Sequence, residues 1–87
     1  MKFTIDVKID GRPRRYVVEC IYKDDRIERY RINGRDRFII LETNRPVFIN
    51  RGLKHRRAKW TLYEGTVKSP RAFEEIYKAV EAYLSLP

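Results

Sequence analysis

Phe3, Ile5, Val7 and Ile9 alternate with Thr4, Asp6 and Lys8. A strict period of two marks a strand with one buried face, and it predicts a first strand over 2–9. Asp10-Gly11 follows at once, and because glycine tolerates positive φ the chain is expected to reverse there in a tight hairpin. A second strand over 15–22 places Tyr16, Val18, Cys20 and Tyr22 on one face and Val17, Glu19 and Ile21 on the other. Both faces are partly apolar, which suits a strand in the interior of a sheet. Lys23-Asp24-Asp25 supplies the next turn, and a third strand is expected over 26–32.

Asn33-Gly34 is the strongest hairpin signal in the chain. The continuous Phe38-Ile39-Ile40-Leu41 within 37–43 predicts a central strand covered on both sides. Asn44-Arg45-Pro46 breaks it, and Val47-Phe48-Ile49 reads as a short strand over 47–49, where the preceding proline favours an edge or a strand start. The apolar pattern then disappears through a basic loop over 50–58 and resumes in a strand over 59–64 that Gly65 ends. Ser69-Pro70 is a helix-start signature, with the serine able to cap and the proline suited to the first helical position. Phe73, Ile76, Tyr77, Val80 and Leu84 recur at three- and four-residue spacing, so an amphipathic helix is expected over 70–85. The order gives an α+β fold: a curved antiparallel sheet of five or six strands in a meander, followed by one C-terminal amphipathic helix packed across it. The helix stripe and the apolar face of the first strand are the natural halves of one core, within a single domain over 1–87.

Two registers are open at Asn33-Gly34. A two-residue turn sets Arg31 opposite Asp36 and Tyr30 opposite Arg37, so that charges compensate locally; this is the favoured alternative. A one-residue bulge at Gly34 gathers Arg29, Arg31, Arg35 and Arg37 on one face, which calls for an anion to offset the repulsion.

Composition narrows the chemistry. The 87 residues are 43% hydrophobic and 13% aromatic with only four Gly and four Pro, outside the disordered and low-complexity classes. One cysteine, Cys20, cannot staple the fold, and a reducing cytoplasm is the expected setting. The longest apolar run is four residues, so neither a signal peptide nor a membrane span is expected. The only histidine, His55, and the only cysteine have no carboxylates at ligand spacing, and the glycines form no phosphate-cradling motif. No metal, no cofactor and no catalytic residue is expected, and the chain reads as something other than an enzyme.

Charge localises the remaining possibilities. Twenty Lys and Arg against twelve Asp and Glu give +8. Residues 1–44 carry +3, residues 45–69 carry +6 and residues 70–87 carry −1. The excess falls on Arg45, Arg51, Lys54, Arg56, Arg57 and Lys59, with no acid before Glu64, and such a concentration attracts polyanions. Thirteen of the twenty cations are arginine, which binds phosphate bidentately and stacks on bases. Trp60 directly after the cluster is a stacking candidate if its indole is exposed, although a lone tryptophan in a thin core is more often buried. Arg29, Arg31 and Arg37 form a second candidate group on the sheet. The function expected is a small basic binding module that takes a polyanion such as single-stranded nucleic acid through an arginine-rich loop and a sheet face. The alternative is a protein-interaction or homodimerisation module without nucleic-acid activity, resting on apolar residues (Val17, Ile21, Ile39, Leu41) on both sheet faces.

Overall fold

The computed structural model describes residues 1–52 and 58–85. Five strands, β1 (Lys2–Ile9), β2 (Arg12–Lys23), β3 (Glu28–Asn33), β4 (Phe38–Thr43) and β5 (Trp60–Glu64), pair in the order β1-β2-β3-β4-β5 as an open antiparallel meander. A short helix α1 (Arg45–Asn50) lies between β4 and β5, and α2 (Pro70–Leu84) packs across one face of the sheet. This is the α+β arrangement that the apolar pattern predicts.

The first hairpin explains why β2 is longer than expected. Asp10 and Gly11 both have positive φ (54° and 76°), as a two-residue turn matched to strand twist requires, so Ile9 pairs with Arg12 and the ladder starts three residues before 15. β3 joins β2 only from Val17 onward. Residues 12–16 therefore have one neighbouring strand, and Pro13, which has no N–H for a second ladder, sits in that stretch. Further along, the β2–β3 register shifts between Cys20 and Tyr22. The bulge moves Tyr22 to the face away from α2, opposite Arg29, and so corrects the expectation that it shares a face with Tyr16, Val18 and Cys20.

Neither register anticipated at Asn33-Gly34 forms. Asn33 pairs with Phe38, Ile32 with Ile39 and Tyr30 with Leu41, leaving Gly34–Arg37 as a four-residue connection closed by the Gly34 amide on the Arg37 carbonyl at 2.9 Å. The reason lies in the core. A two-residue turn would set Arg37 opposite Tyr30, which is 1% exposed, whereas the longer loop aligns apolar partners and puts Arg35 and Arg37 outside the sheet.

Val47–Ile49 is helical rather than a strand. Pro46 occupies the first turn of α1, where its missing N–H costs nothing, and the edge of β4 is already taken by β5. Asn44 locks that arrangement, because its side chain accepts the Lys59 amide at 2.7 Å. β5 ends at Gly65, whose φ of +96° and close approach to Ile39 exclude a Cβ. Ser69 then caps α2, its Oγ accepting the Ala72 amide at 3.1 Å with Pro70 in the first turn. The core joins Phe3, Ile5 and Val7 of β1 to Val18, Tyr30, Ile32, Ile39 and Leu41 of the central strands and to Ile76 and Val80 of α2. Phe3 stacks on Tyr83 at 3.9 Å.

Candidate polyanion-binding surface

A meander sends alternate connections to the same end of the sheet. The β1–β2 turn, the β3–β4 loop and the β5–α2 link share one end; the β2–β3 turn and α1 share the other. At the first end, β1 and β2 run past the limit of β3, and the uncovered overhang opens as a cleft of about 1030 Å³. Arg12 and Arg14 come to it because they pair with Ile9 and Val7, which places them on the core-facing side of β2 where the core has run out. Arg35 and Arg37 come from the four-residue loop, and Lys68 from the link into α2. Ile32, Ile39, Val67, Ala72 and Ile76 are its apolar lining, with Tyr16 and Phe38 as rings.

Six cations (Arg12, Arg14, Arg15, Arg35, Arg37 and Lys68) against two carboxylates (Asp10 and Asp36) leave this lining at +4. Two of the six have carboxylate partners: Arg15 pairs with Asp6 and Lys68 with Asp10, each at 2.9 Å. Among the described residues, Arg12, Arg14, Arg35 and Arg37 have no carboxylate within 4.0 Å. The hydrogen bond and charge of Lys68 hold the Asp10 carboxyl below its ordinary range, with Arg71 and Arg14 adding to the effect. The local potential is thus strongly positive.

The residues expected from sequence are distributed differently. Among the described residues of that set, Arg37 alone lies on the cleft. Arg29 and Arg31 sit on the sheet face away from α2, where Arg29 donates to Glu42 at 3.1 Å and lies 4.0 Å from the Tyr63 ring and 5.0 Å from the Tyr22 ring. Arg31 lies 4.0 Å over Phe38. Arg45 is turned inward to Glu28, which accepts from its Nε at 2.9 Å and its Nη2 at 3.2 Å, so it is a structural cation. Arg51 and Lys59 are exposed at the opposite end of the sheet. Lys54, His55, Arg56 and Arg57 lie outside the described residues. Trp60 is 7% exposed, stacks near Tyr77 and donates its indole N–H to Glu81 at 2.9 Å, so its ring is engaged in the core rather than offered to a ligand.

Sequence alone does not bring Arg12, Arg14, Arg35 and Lys68 together as one site. The signal for it is that Gly11-Arg12-Pro13-Arg14-Arg15 and Gly34-Arg35-Asp36-Arg37 both lie at a turn, and the meander brings alternate turns together.

The face of the sheet opposite α2 has a different character. Val17, Tyr22, Phe38 and Tyr63 are exposed there, and from Val17 to the end of β5 its charged residues are Glu19, Arg29, Arg31, Glu42 and Glu64, a net −1. That part of the face is near neutral, which separates it from the arginine-rich end.

Among the described residues no group of three or more His, Cys, Asp or Glu is placed to hold a metal ion, and no helix is long and apolar enough to cross a membrane. No protein-family model matches the chain, and no curated protein or solved structure is significantly similar to it.

Proposed function

We propose that the protein is a non-catalytic binding module for a polyanion, single-stranded nucleic acid, held at the arginine-rich end of the sheet. The observation that carries the reading is that Arg12, Arg14, Arg35 and Arg37 converge on one cleft without a carboxylate within 4.0 Å among the described residues. Cations gathered with too few counter-charges repel one another, and an anion with several charges relieves all of them at once. Guanidinium groups match phosphate oxygens bidentately, and four of them fit a run of phosphates better than a single carboxylate. Tyr16 in the same lining offers a ring to unpaired bases. Arg51 and Lys59 at the other end of the sheet extend the reading to longer strands. The unpaired Cys20 fits a cytoplasmic setting.

The test is fluorescence anisotropy with labelled oligo(dT) and oligo(U) over a salt series. Four phosphate contacts give a log–log slope of about −2.8 for a single strand. Changing Arg35→Glu and Arg37→Glu together should weaken binding by at least about tenfold and flatten the slope by about 1.4, with secondary structure unchanged. Absence of binding at about 50 mM salt, or binding indifferent to the double change, overturns the proposal.

A further inference from the structure

We infer that the sheet face opposite α2 is where two copies of this chain meet. Val17, Tyr22, Phe38 and Tyr63 are 43%, 43%, 39% and 52% exposed on this face, and Ile21 at the β2 bulge is 45% exposed. Scattered singly such residues need no explanation, but here they are joined. The Arg29 guanidinium lies beside both the Tyr22 and Tyr63 rings, and Arg31, next but one along β3, lies over Phe38. The result is one continuous band across β2, β3, β4 and β5.

Charge selects the occupant. The whole chain carries +8, and two copies repel wherever its basic surfaces approach. This band carries −1, with carboxylates and guanidinium groups interspersed, so it is the surface on which a second copy meets little repulsion. It is also self-complementary. Arg31 Nε is buried without a hydrogen-bond acceptor, while Glu19 and Glu64 on the same face have no cation within 4.0 Å among the described residues. A two-fold arrangement sets these carboxylates against the guanidinium groups of Arg29 and Arg31 in the other copy, so that opposite charges meet twice over. Arg29 is already held by Glu42 and two rings, so little side-chain freedom is lost on docking.

Area sets the strength. Four strands about 4.8 Å apart and about six residues long present about 400 Å² of flat surface on each copy. About 800 Å² in total lies below the ordinary range of specific interfaces, which predicts a weak, reversible dimer.

Sedimentation velocity from about 5 µM to about 1 mM tests this over the range in which a weak association shows. The unaltered chain should pass reversibly from monomer to dimer. Val17→Asp and Tyr63→Asp, both at exposed positions, should each weaken association at least about tenfold without changing the circular dichroism spectrum. The Arg35→Glu, Arg37→Glu variant should still dimerise, which keeps this outcome separate from nucleic-acid binding at the other surface. A monomer throughout the range, or a dimer that both face variants leave intact, overturns the inference. So does an NMR titration in which oligonucleotide shifts the amides of Val17 and Tyr63 rather than those of Arg14 and Arg37, since the face would then belong to nucleic acid.

Discussion

Replacing Arg45 by methionine should be among the most damaging single changes available at a polar position. Glu28 is 1% exposed and accepts two hydrogen bonds from Arg45, whose own side chain is 21% exposed; Lys23 is farther, at 3.7 Å. Burial alone would lower the Arg45 pKa, but the hydrogen bond and charge of Glu28, with a smaller contribution from Tyr30, more than offset it, and the net shift is upward. Methionine keeps most of the apolar stem and removes the charge, which strands the Glu28 carboxylate. Breaking a fully buried pair from one side costs about 3–5 kcal/mol, and the partial exposure of Arg45 brings the expectation down to about 2–4 kcal/mol. A domain of this size has about 4–13 kcal/mol in total, so the loss should be visible as a fall in melting temperature of about 8–30 °C. Urea denaturation followed by circular dichroism at neutral pH measures it. The companion variant with Glu28→Leu and Arg45→Met together should recover much of the loss, because an apolar pair leaves no stranded charge. A single Arg45→Met variant within about 0.5 kcal/mol of the parent would refute the reasoning, since Glu28 would have to be solvated.

The Asp24 carboxyl is held down to about 2 by the Tyr22 hydroxyl, which donates at 2.7 Å, and by the Ile27 and Arg26 amides, each at 2.8 Å. A depressed folded-state pKa stabilises above the unfolded value of about 3.9 and loses that effect as pH falls toward 2. The urea midpoint of Asp24→Asn should therefore lie below the parent's at pH 7 and converge on it under acid; a gap that stays constant with pH would rule out the linkage. For Gly65→Ala, the added Cβ meets Ile39 Cγ2 at 2.8 Å and the Phe38 carbonyl at 3.1 Å at a φ of +96°, whereas at Gly11, with φ +76°, nothing lies within 4 Å. Thermal melts should show Gly65→Ala losing about 2–4 kcal/mol and Gly11→Ala about 1 kcal/mol; equal losses would mean that strain, not contact, sets the cost.

What the sequence makes legible follows from how local each signal is. β1 and α2 are read correctly because their apolar periods are long and their ends carry turn and cap residues, Asp10-Gly11 and Ser69-Pro70. The third hairpin is not, because Asn33-Gly34 states a local preference while the register is decided by whether Tyr30 meets Leu41 or Arg37 in the core. Val47–Ile49 fails for a related reason: three apolar residues suit a strand or a helix, and what excludes the strand is that β5 already occupies the edge of β4. Trp60 shows the same division. Its place after a basic tract leaves both stacking and burial open, and it is Glu81, 21 residues away, that takes its N–H.

Segment arithmetic finds the charge but not where the fold gathers it, and topology explains why. The +6 of residues 45–69 includes Arg45, which Glu28 neutralises from another segment, and Lys68, which the β5–α2 link delivers to the opposite end of the sheet. Conversely, residues 1–44 look modest at +3 because eight acids, those of the Asp24-Asp25 turn among them, offset most of the eleven cations that include Arg12, Arg14, Arg35 and Arg37. In space that turn lies at one end of the meander and the four arginines at the other, so the offset does not operate where a ligand would bind. Screening over a Debye length of about 8 Å makes the distinction physical, because six residues of strand already span about 20 Å. A polyanion approaching the hairpin end experiences the local +4, and the near-neutral sheet face is left free for a different kind of contact.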